Sequence, residues 1–191
     1  KQGTLGGRGA FFDSIGELRD VGQNHILQML ALVAMENPKK MEGEAIRAAR
    51  RKVLEKVRGG GRKLESWVAR GQYEGYRAEA GVSPESKTET YVRIAAGIEN
   101  SRWRGVPFIL ESGKALRYSS VSVSVFFKPA PCLCPTSHEM PHQNVLSFDI
   151  DKGSISLLFW TKQPGFEFQL EPKRLSFSFS ADTLSEQVPN A

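Results

Sequence analysis

The stretch SVSVSVFF (residues 120–127) decides the fold class, because its serines and valines alternate strictly. An alternation of period two is typical of a β-strand with one apolar and one polar face. Five other stretches share this strand-like pattern: TETYVRIAAGI (88–98), NVLSFDI (144–150), SISLLFW (154–160), FEFQL (166–170) and LSFSFS (175–180). Since no helical pattern separates them, they predict a mostly antiparallel sheet.

The chain before residue 59 has a helical period instead. FFDSIGELRDVGQNHILQMLALVAM (11–35) spaces its apolar residues near 3.6 and predicts one or two helices that end before Asn37-Pro38. EGEAIRAARRKVLEKVRGGG (42–61) has acids early, bases late and glycines at its end, which predicts a further helix. A turn-rich stretch follows over residues 59–87. We therefore predict an α+β fold, in which amino-terminal helices pack on one face of the sheet.

Composition limits the classes of protein. With 191 residues and 40% hydrophobic content, the chain is expected to form one domain over 1–191. No stretch approaches the roughly 18 apolar residues of a membrane span, and the first 20 residues are not expected to act as a signal peptide, because they contain no apolar h-region. The formal charge of +5 comes from Lys and Arg within residues 1–70, which we interpret as a solvated helix face rather than a nucleic-acid-binding surface.

CLCPTSHEMPH (132–142) contains four side chains of the types that bind zinc: Cys132, Cys134, His138 and His142. Their spacing is not that of a common zinc finger, so we interpret the segment as a proline-containing connection and keep a zinc site as the alternative. The two cysteines are too close in sequence for an ordinary disulfide, which favours a reducing, cytoplasmic setting.

DVGQNHILQML (20–30) carries four polar residues at the start of a predicted helix. A structural interpretation is available, because Asp20 and Gln23 have the spacing of a capping box. His25 would then share an apolar face with Val21 and Met29, and a lone histidine on such a face is more often a core residue than a catalyst. The surrounding sequence favours another interpretation.

FFDSIGELRDVGQNHILQMLALVAME (11–36) resembles the segment of glucose-6-phosphate dehydrogenases that contains their Arg-Asp-x-x-Gln-Asn-His pattern. Here the pattern consists of Arg19, Asp20, Gln23, Asn24 and His25. Further matching segments follow in the family's order: RGQYEGY (70–76), TETYVRI (88–94), RWRGVPFILESGKAL (102–116), FKPAPCLCP (127–135) and LLFWTKQPGFE (157–167). The resemblance covers nearly the whole chain and is to the carboxy-terminal domain of the bacterial-type enzymes, truncated at both ends.

This resemblance implies an activity and its residues. The family oxidises the C1 hydroxyl of glucose 6-phosphate, in the pentose phosphate pathway, with hydride transfer to NADP and formation of a lactone. His25 is implied as the general base, a role that suits an imidazole titrating near neutrality. Asp20 and Lys114 are implied as substrate-binding residues. The carboxylate that orients the histidine, part of the phosphate site and the NADP-binding domain are all implied to precede this chain.

The chain departs from the family pattern at several positions. A second basic residue of the family falls at Ser119 and a glutamine near the substrate falls at Asp149, so the phosphate site is expected to be weaker or rearranged, with Arg117 as a substitute. Arginines that hold a second, structural NADP in animal members fall at Glu111 and Ser147, which argues against that site.

The resemblance also implies a homodimer formed through the sheet. Without the preceding segments, residues 1–191 alone are expected to be inactive. The competing hypothesis is a non-catalytic module on the same scaffold, either anion-binding or stapled by zinc.

Overall fold

The structure is a computed structural model that describes residues 5–61, 63–129 and 142–179. The chain divides into two compact units, Lys1–Arg117 and Tyr118–Ala191. Helices come first and antiparallel strands follow, so the predicted α+β class is confirmed. Within the described residues, no helix is both long and apolar enough to cross a lipid bilayer.

The helices of the first unit lie in the two stretches of helical period, although the helix predicted in 42–61 ends at Leu54. They are α1 (Gly9–Ile15), a π-helix (Leu18–Ile26), α2 (Leu27–Ala34) and α3 (Gly43–Leu54), followed by short 3-10 turns at Leu64–Ser66 and Tyr76–Ala78. The π-helix continues directly into α2. α2 ends at Ala34, before Pro38, as predicted. The indole Nε1 of Trp103 donates to the carbonyl of Ala34 at 2.9 Å, which satisfies an acceptor at the carboxyl end of α2.

A four-stranded antiparallel sheet completes the first unit. Its strands are β1 (Val57–Gly59), β2 (Val68–Gly71), β3 (Tyr91–Ile98) and β4 (Phe108–Gly113). Strand β3 is central, with β1 and β2 along one edge and β4 along the other. One core cluster joins α2 and α3 to the sheet through Leu30, Ala34, Val53 and Ile98; another joins α1 to the loop after β2 through Leu5, Phe12, Tyr76 and Val82.

The second unit is a separate four-stranded meander of β5 (Ser122–Phe126), β6 (Val145–Asp149), β7 (Ser154–Lys162) and β8 (Leu170–Ser178). Its register places apolar residues opposite one another on one face: Val123, Val125, Leu146, Phe148, Ile155, Leu157, Leu175 and Phe177. The opposite face carries a row of serines across all four strands: Ser124, Ser147, Ser156 and Ser176. The alternation in SVSVSVFF therefore separates an apolar from a polar face, as predicted.

The strands differ from the expectation in three respects. They form two sheets rather than one. β1, β2 and β4 were not predicted, because the first two are only three and four residues long and are stabilised by pairing with β3. FEFQL and LSFSFS are not two strands: residues 163–169 connect β7 to β8 with a bend at 164–167, and one strand begins at Leu170. Pro172 is tolerated there because β8 is an edge strand.

Candidate functional site

Asp20 and His25 lie on the π-helix, at its first and last turns. The backbone N–H of Leu27 donates to the carbonyl of Gly22, five residues earlier, which is the hydrogen bond that defines such a helix. π-helical turns are rare and are frequent at functional sites. The helix turns an apolar side toward the sheet, where Leu18 and Ile26 line a cavity together with Val92.

Glu89 fixes the start of the π-helix. Its carbonyl accepts from the N–H of Glu17 at 3.0 Å, and its carboxylate Oε1 accepts from the N–H of Leu18 at 3.2 Å. A negatively charged carboxylate at the amino-terminal end of a helix also interacts favourably with the helix dipole. Gly16 makes the approach possible: its φ is +79°, and a Cβ there would lie 2.7 Å from Oε1 of Glu89. The contact joins the TETYVRI segment to the helix that carries Asp20 and His25.

The capping box predicted for Asp20 and Gln23 is wrong. The N–H of Asp20 already donates to the carbonyl of Gly16 at 3.0 Å, so Asp20 lies inside the helix and not at its N-cap. The first amides are satisfied by Glu89, a residue distant in sequence, and sequence spacing alone could not reveal that partner.

His25 is exposed, which contradicts its interpretation as a core residue, and Asp20 is half-buried. Neither the His25 imidazole nor the Asp20 carboxylate has a hydrogen-bond partner among residues 5–61, 63–129 and 142–179. The Asn24 amide, between them, donates back to the carbonyl of Arg19 at 3.2 Å and so supports the local helix. Both side chains that the resemblance assigns to substrate are thus left available to a ligand.

Lys114 follows directly after β4 and lies against the residue that precedes the π-helix. Its Nζ is 3.1 Å from Oε2 of Glu17, whose side chain is 1% exposed, whereas the Lys114 side chain is 32% exposed. The Ser112 hydroxyl donates to the other oxygen of Glu17. The Lys114 ammonium also lies over the ring of Phe12, 5.5 Å from its centroid. The structure therefore brings Lys114 to the start of the helix that holds Asp20 and His25.

Glu17 is the functional candidate that sequence reasoning missed. The available signal was an acidic residue within a stretch whose neighbours Ile15, Leu18 and Val21 have the spacing of a packed helix face. A carboxylate is stable at such a buried position only when a cation or a hydroxyl group binds it. The two partners, Ser112 and Lys114, are more than 90 residues away in sequence, so the spacing of local residues does not reveal them.

Ser119 and Asp149 both belong to the second unit. Asp149 is engaged locally, since its carboxylate accepts from the N–H of Lys152 at 3.0 Å and lies 3.1 Å from the ammonium of the same residue. The backbone hydrogen bond and then the charged side chain of Lys152 lower the pKa of Asp149. Asp149 therefore stabilises the turn between β6 and β7. Arg117 lies exposed at the end of the first unit.

Glu111 and Ser147, where the resemblance would place the structural-NADP arginines of animal members, both make contacts within sheets. Glu111 lies opposite Arg93 in the β3–β4 pair, and the Ser147 hydroxyl lies 3.2 Å from that of Ser124. Three of the four candidate ligands of the alternative zinc site lie outside the described residues: Cys132, Cys134 and His138. The ring of His142 packs 4.6 Å from that of Trp160.

Tyr76, the last residue of the RGQYEGY segment, belongs to a polar network around Asp13 of α1. The Tyr76 hydroxyl donates to Oδ1 of Asp13 at 2.8 Å, the N–H of Ser83 donates to Oδ2 at 3.2 Å, and the Ser86 hydroxyl also donates to Oδ1. Burial and the Asp13 hydrogen bond raise the pKa of Tyr76 well above its ordinary value. This network fixes α1 in front of the π-helix and is structural.

Comparison with known proteins places this arrangement in a family. A family model described as "Glucose-6-phosphate dehydrogenase, C-terminal domain" matches residues 1–191. The glucose-6-phosphate 1-dehydrogenase of Borreliella burgdorferi is 35% identical over 92% of this chain and 39% of its own length. Glucose-6-phosphate 1-dehydrogenase 5, cytoplasmic, of Arabidopsis thaliana is 36% identical over 97% of this chain and 35% of its own length.

Solved structures agree. The crystal structure of glucose-6-phosphate 1-dehydrogenase from Mycobacterium avium superposes with a TM-score of 0.82 at 32% identity, over 94% of this chain and 39% of that one. A glucose-6-phosphate dehydrogenase in complex with its substrate glucose-6-phosphate gives 0.81 at 29% identity, over 98% and 39%. The chain thus spans less than half the length of the relatives it matches. In sequence and in fold, it belongs to the glucose-6-phosphate dehydrogenase C-terminal domain family.

Proposed function

We propose that this chain is the substrate-binding and dimerisation part of an NADP-dependent glucose-6-phosphate dehydrogenase, and that the full enzyme oxidises glucose 6-phosphate to 6-phosphogluconolactone. One observation carries the proposal: Asp20 and His25 share one π-helix, and Lys114 is tied to the start of that helix through Glu17. These are the three positions that match the family's substrate and base residues. No contact in the described residues favours the non-catalytic alternative.

The side chains suit the proposed chemistry. An imidazole at His25 would accept the proton of the C1 hydroxyl, and NADP held by the preceding domain would supply the acceptor for the hydride of C1, so that the alcohol carbon becomes the lactone carbonyl. The Asp20 carboxylate accepts hydrogen bonds from sugar hydroxyls, and the Lys114 ammonium offers three donors. The exposed position of His25 leaves room for a sugar and for the orienting carboxylate that we assign to a preceding segment.

The described part of the chain does not suit the cofactor. Every strand pair in it is antiparallel, whereas a dinucleotide site of the Rossmann type requires parallel βαβ units. We therefore assign NADP mainly to an amino-terminal domain outside residues 1–191.

We further propose a homodimer through the sheet of the second unit. In its described residues, no side chain is buried, although one face is apolar. Leu175 and Phe177 on that face are 61% and 60% exposed. A second copy that covers this face would supply the core that the sheet lacks. We propose a cytoplasmic location and neither nucleic acid nor membrane as partner.

The test compares residues 1–191 with the joined enzyme, in which they are linked to the nucleotide domain and to the carboxy-terminal end that the resemblance implies. With glucose 6-phosphate and NADP, the joined enzyme should form NADPH, measured by its absorbance, and the isolated chain should form none. We assign the cofactor site and the orienting carboxylate to segments outside residues 1–191, so in the isolated chain the sugar should not be held in a reactive geometry. Failure of the joined enzyme to form NADPH would reject the proposed function in favour of the non-catalytic module.

A further inference from the structure

Glu17 is a buried charged residue in a position that the proposed reaction does not itself require. Only 1% of the residue is exposed, and among the described residues it is the one charged group in the buried class. A carboxylate withdrawn from water needs charged or hydrogen-bonding partners. It has two: the Ser112 hydroxyl on Oε1 and the Lys114 ammonium 3.1 Å from Oε2.

The contact with Lys114 is an ion pair rather than an aligned hydrogen bond. Oε2 of Glu17 has no hydrogen-bond partner among the described residues, although the ammonium lies 3.1 Å away. The attraction therefore fixes the place of the ammonium and occupies at most one of its three N–H donors. With 32% of the Lys114 side chain exposed, the other donors remain able to turn toward a ligand.

The rest of Lys114 is fixed by the strand that precedes it. Its N–H donates to the carbonyl of Thr90 at 2.8 Å, and the next residue, Ala115, has a φ of +55°, so the backbone turns sharply there. The side chain is otherwise a flexible stem of four methylenes. Glu17 on one side and the Phe12 ring, 5.5 Å from Nζ, restrict that stem at its charged end.

Glu17 also has a fixed relation to the proposed base. It is the residue immediately before the π-helix, and its own N–H is held by the carbonyl of Glu89. Because Asp20 and His25 lie on that helix, any movement of the helix start moves Glu17 with it. The Glu17–Lys114 pair thus links the substrate lysine, on the sheet side, to the helix that carries the base.

We propose that Glu17 is a positioning residue, which holds the Lys114 ammonium in register with Asp20 and His25 for binding of the phosphosugar. This inference rests on the proposed function. Glu17 itself touches neither substrate nor cofactor, and its contribution passes through Lys114. Loss of its charge should consequently weaken substrate binding and leave the chemical step nearly unchanged.

The experiment uses the enzyme that joins this chain to its nucleotide domain, with NADPH formation measured against glucose 6-phosphate concentration. Glu17→Gln should raise KM about 10-fold, as expected for loss of a charged contact, and leave kcat within about 2-fold. Glu17→Asp, which keeps the charge, should restore part of the affinity. The matched control is Glu36→Gln, because Glu36 is 70% exposed in a surface pair with Arg102 and should have no effect on KM.

A double-mutant cycle separates positioning from general stability. Lys114→Ala should raise KM with little loss of kcat, and adding Glu17→Gln to it should raise KM no further, because the residue being positioned is gone. If Glu17→Gln does not fold, Ser112→Ala decides instead: it loosens the carboxylate without removing its charge and should raise KM about 3-fold.

The possible outcomes are distinct. An unchanged or lower KM for folded Glu17→Gln would overturn the inference while the proposed function stands, and so would two KM effects that multiply in the double variant. If Ser112→Ala serves as the deciding variant, an unchanged KM would overturn it equally. A joined wild-type enzyme that forms no NADPH would overturn both the proposed function and this inference.

Discussion

Asp13 joins α1 to the loop between β2 and β3 with a single carboxylate. Tyr76, which is 1% exposed, directs its hydroxyl to this carboxylate, and Ser83 and Ser86 donate to it as well. Burial raises the pKa of Asp13, but the hydrogen bonds from Ser86, Tyr76 and Ser83 together lower it by more than burial raises it. The pKa of Asp13 therefore lies below the ordinary value of 3.8. The folded state therefore favours the ionised carboxylate.

The sign of this shift gives a prediction for stability. We expect Asp13→Asn to lower the free energy of unfolding at pH 7 by about 1–3 kcal/mol, because hydrogen bonds to a charged acceptor are replaced by weaker ones. The contribution of Asp13 is complete above its unfolded pKa and is lost as pH falls through the lower folded pKa. The difference between wild type and variant should thus shrink below about pH 4.

Urea unfolding at a series of pH values measures this difference. Glu74→Gln is the control, because Glu74 is an exposed carboxylate in the same loop and its change should stay within about 0.5 kcal/mol. A difference for Asp13→Asn that grows as pH falls would contradict the assigned direction of the pKa.

At the level of elements, the backbone of α1 packs directly against the backbone of the loop that contains Ala80. A Cβ at Gly9 would lie 2.1 Å from the carbonyl oxygen of Ala80. We expect Gly9→Ala to force α1 away from the loop and to lower the free energy of unfolding by about 1–3 kcal/mol, although alanine is the better helix former. The thermal unfolding midpoint of the variant should fall accordingly.

Gly97 provides the matched control for that substitution. It lies in β3, and a Cβ there would meet nothing within 4 Å. Gly97→Ala should therefore be neutral or slightly stabilising. Equal destabilisation by the two substitutions would show that close packing is not what places glycine at position 9.

The elements also show what sequence could and could not predict. α3 and the strands β3 and β5–β7 were predicted because their periods are set by local residues, with no competing pattern. Val57 lies inside the stretch 42–61 that predicts a helix, and only its pairing with Ile98 in β1 makes it a strand residue. Asp20 was misplaced at a helix cap because the true partner of the first amides, Glu89, is brought there by the sheet.

The same distinction applies to the candidate site. Asp20, His25 and Lys114 could be named from long motifs that resemble a family, because each motif is continuous in sequence. Glu17 could not be named in this way, because its role depends on contacts with Ser112 and Lys114 that form only in the folded chain. The separation of the strands into two sheets could not be predicted either, because the strands of both sheets have the same period of two.

For the whole molecule, the apolar face of the second sheet gives a prediction on assembly. We expect the joined enzyme to be a dimer, and Leu175→Lys to convert it to monomer, because a charge on this face would be buried without a partner at the interface. Light scattering measures the mass. Ser176→Lys is the control on the opposite face of the same strand and should leave the dimer intact.

A wild-type enzyme that is monomeric at micromolar concentration would contradict the proposed dimer. Dissociation by Ser176→Lys, with a dimer retained by Leu175→Lys, would place the contact on the serine face instead of the apolar one.

The proposed function depends above all on His25, which the π-helix would present as the general base of glucose 6-phosphate oxidation. The most direct measurement is steady-state NADPH formation by the joined enzyme and its His25→Asn variant. Asparagine keeps the polarity and approximate size of histidine but cannot accept the proton, so kcat should fall by about 10²- to 10⁴-fold with little change in KM. A kcat for His25→Asn within a few-fold of the wild-type value would contradict the account.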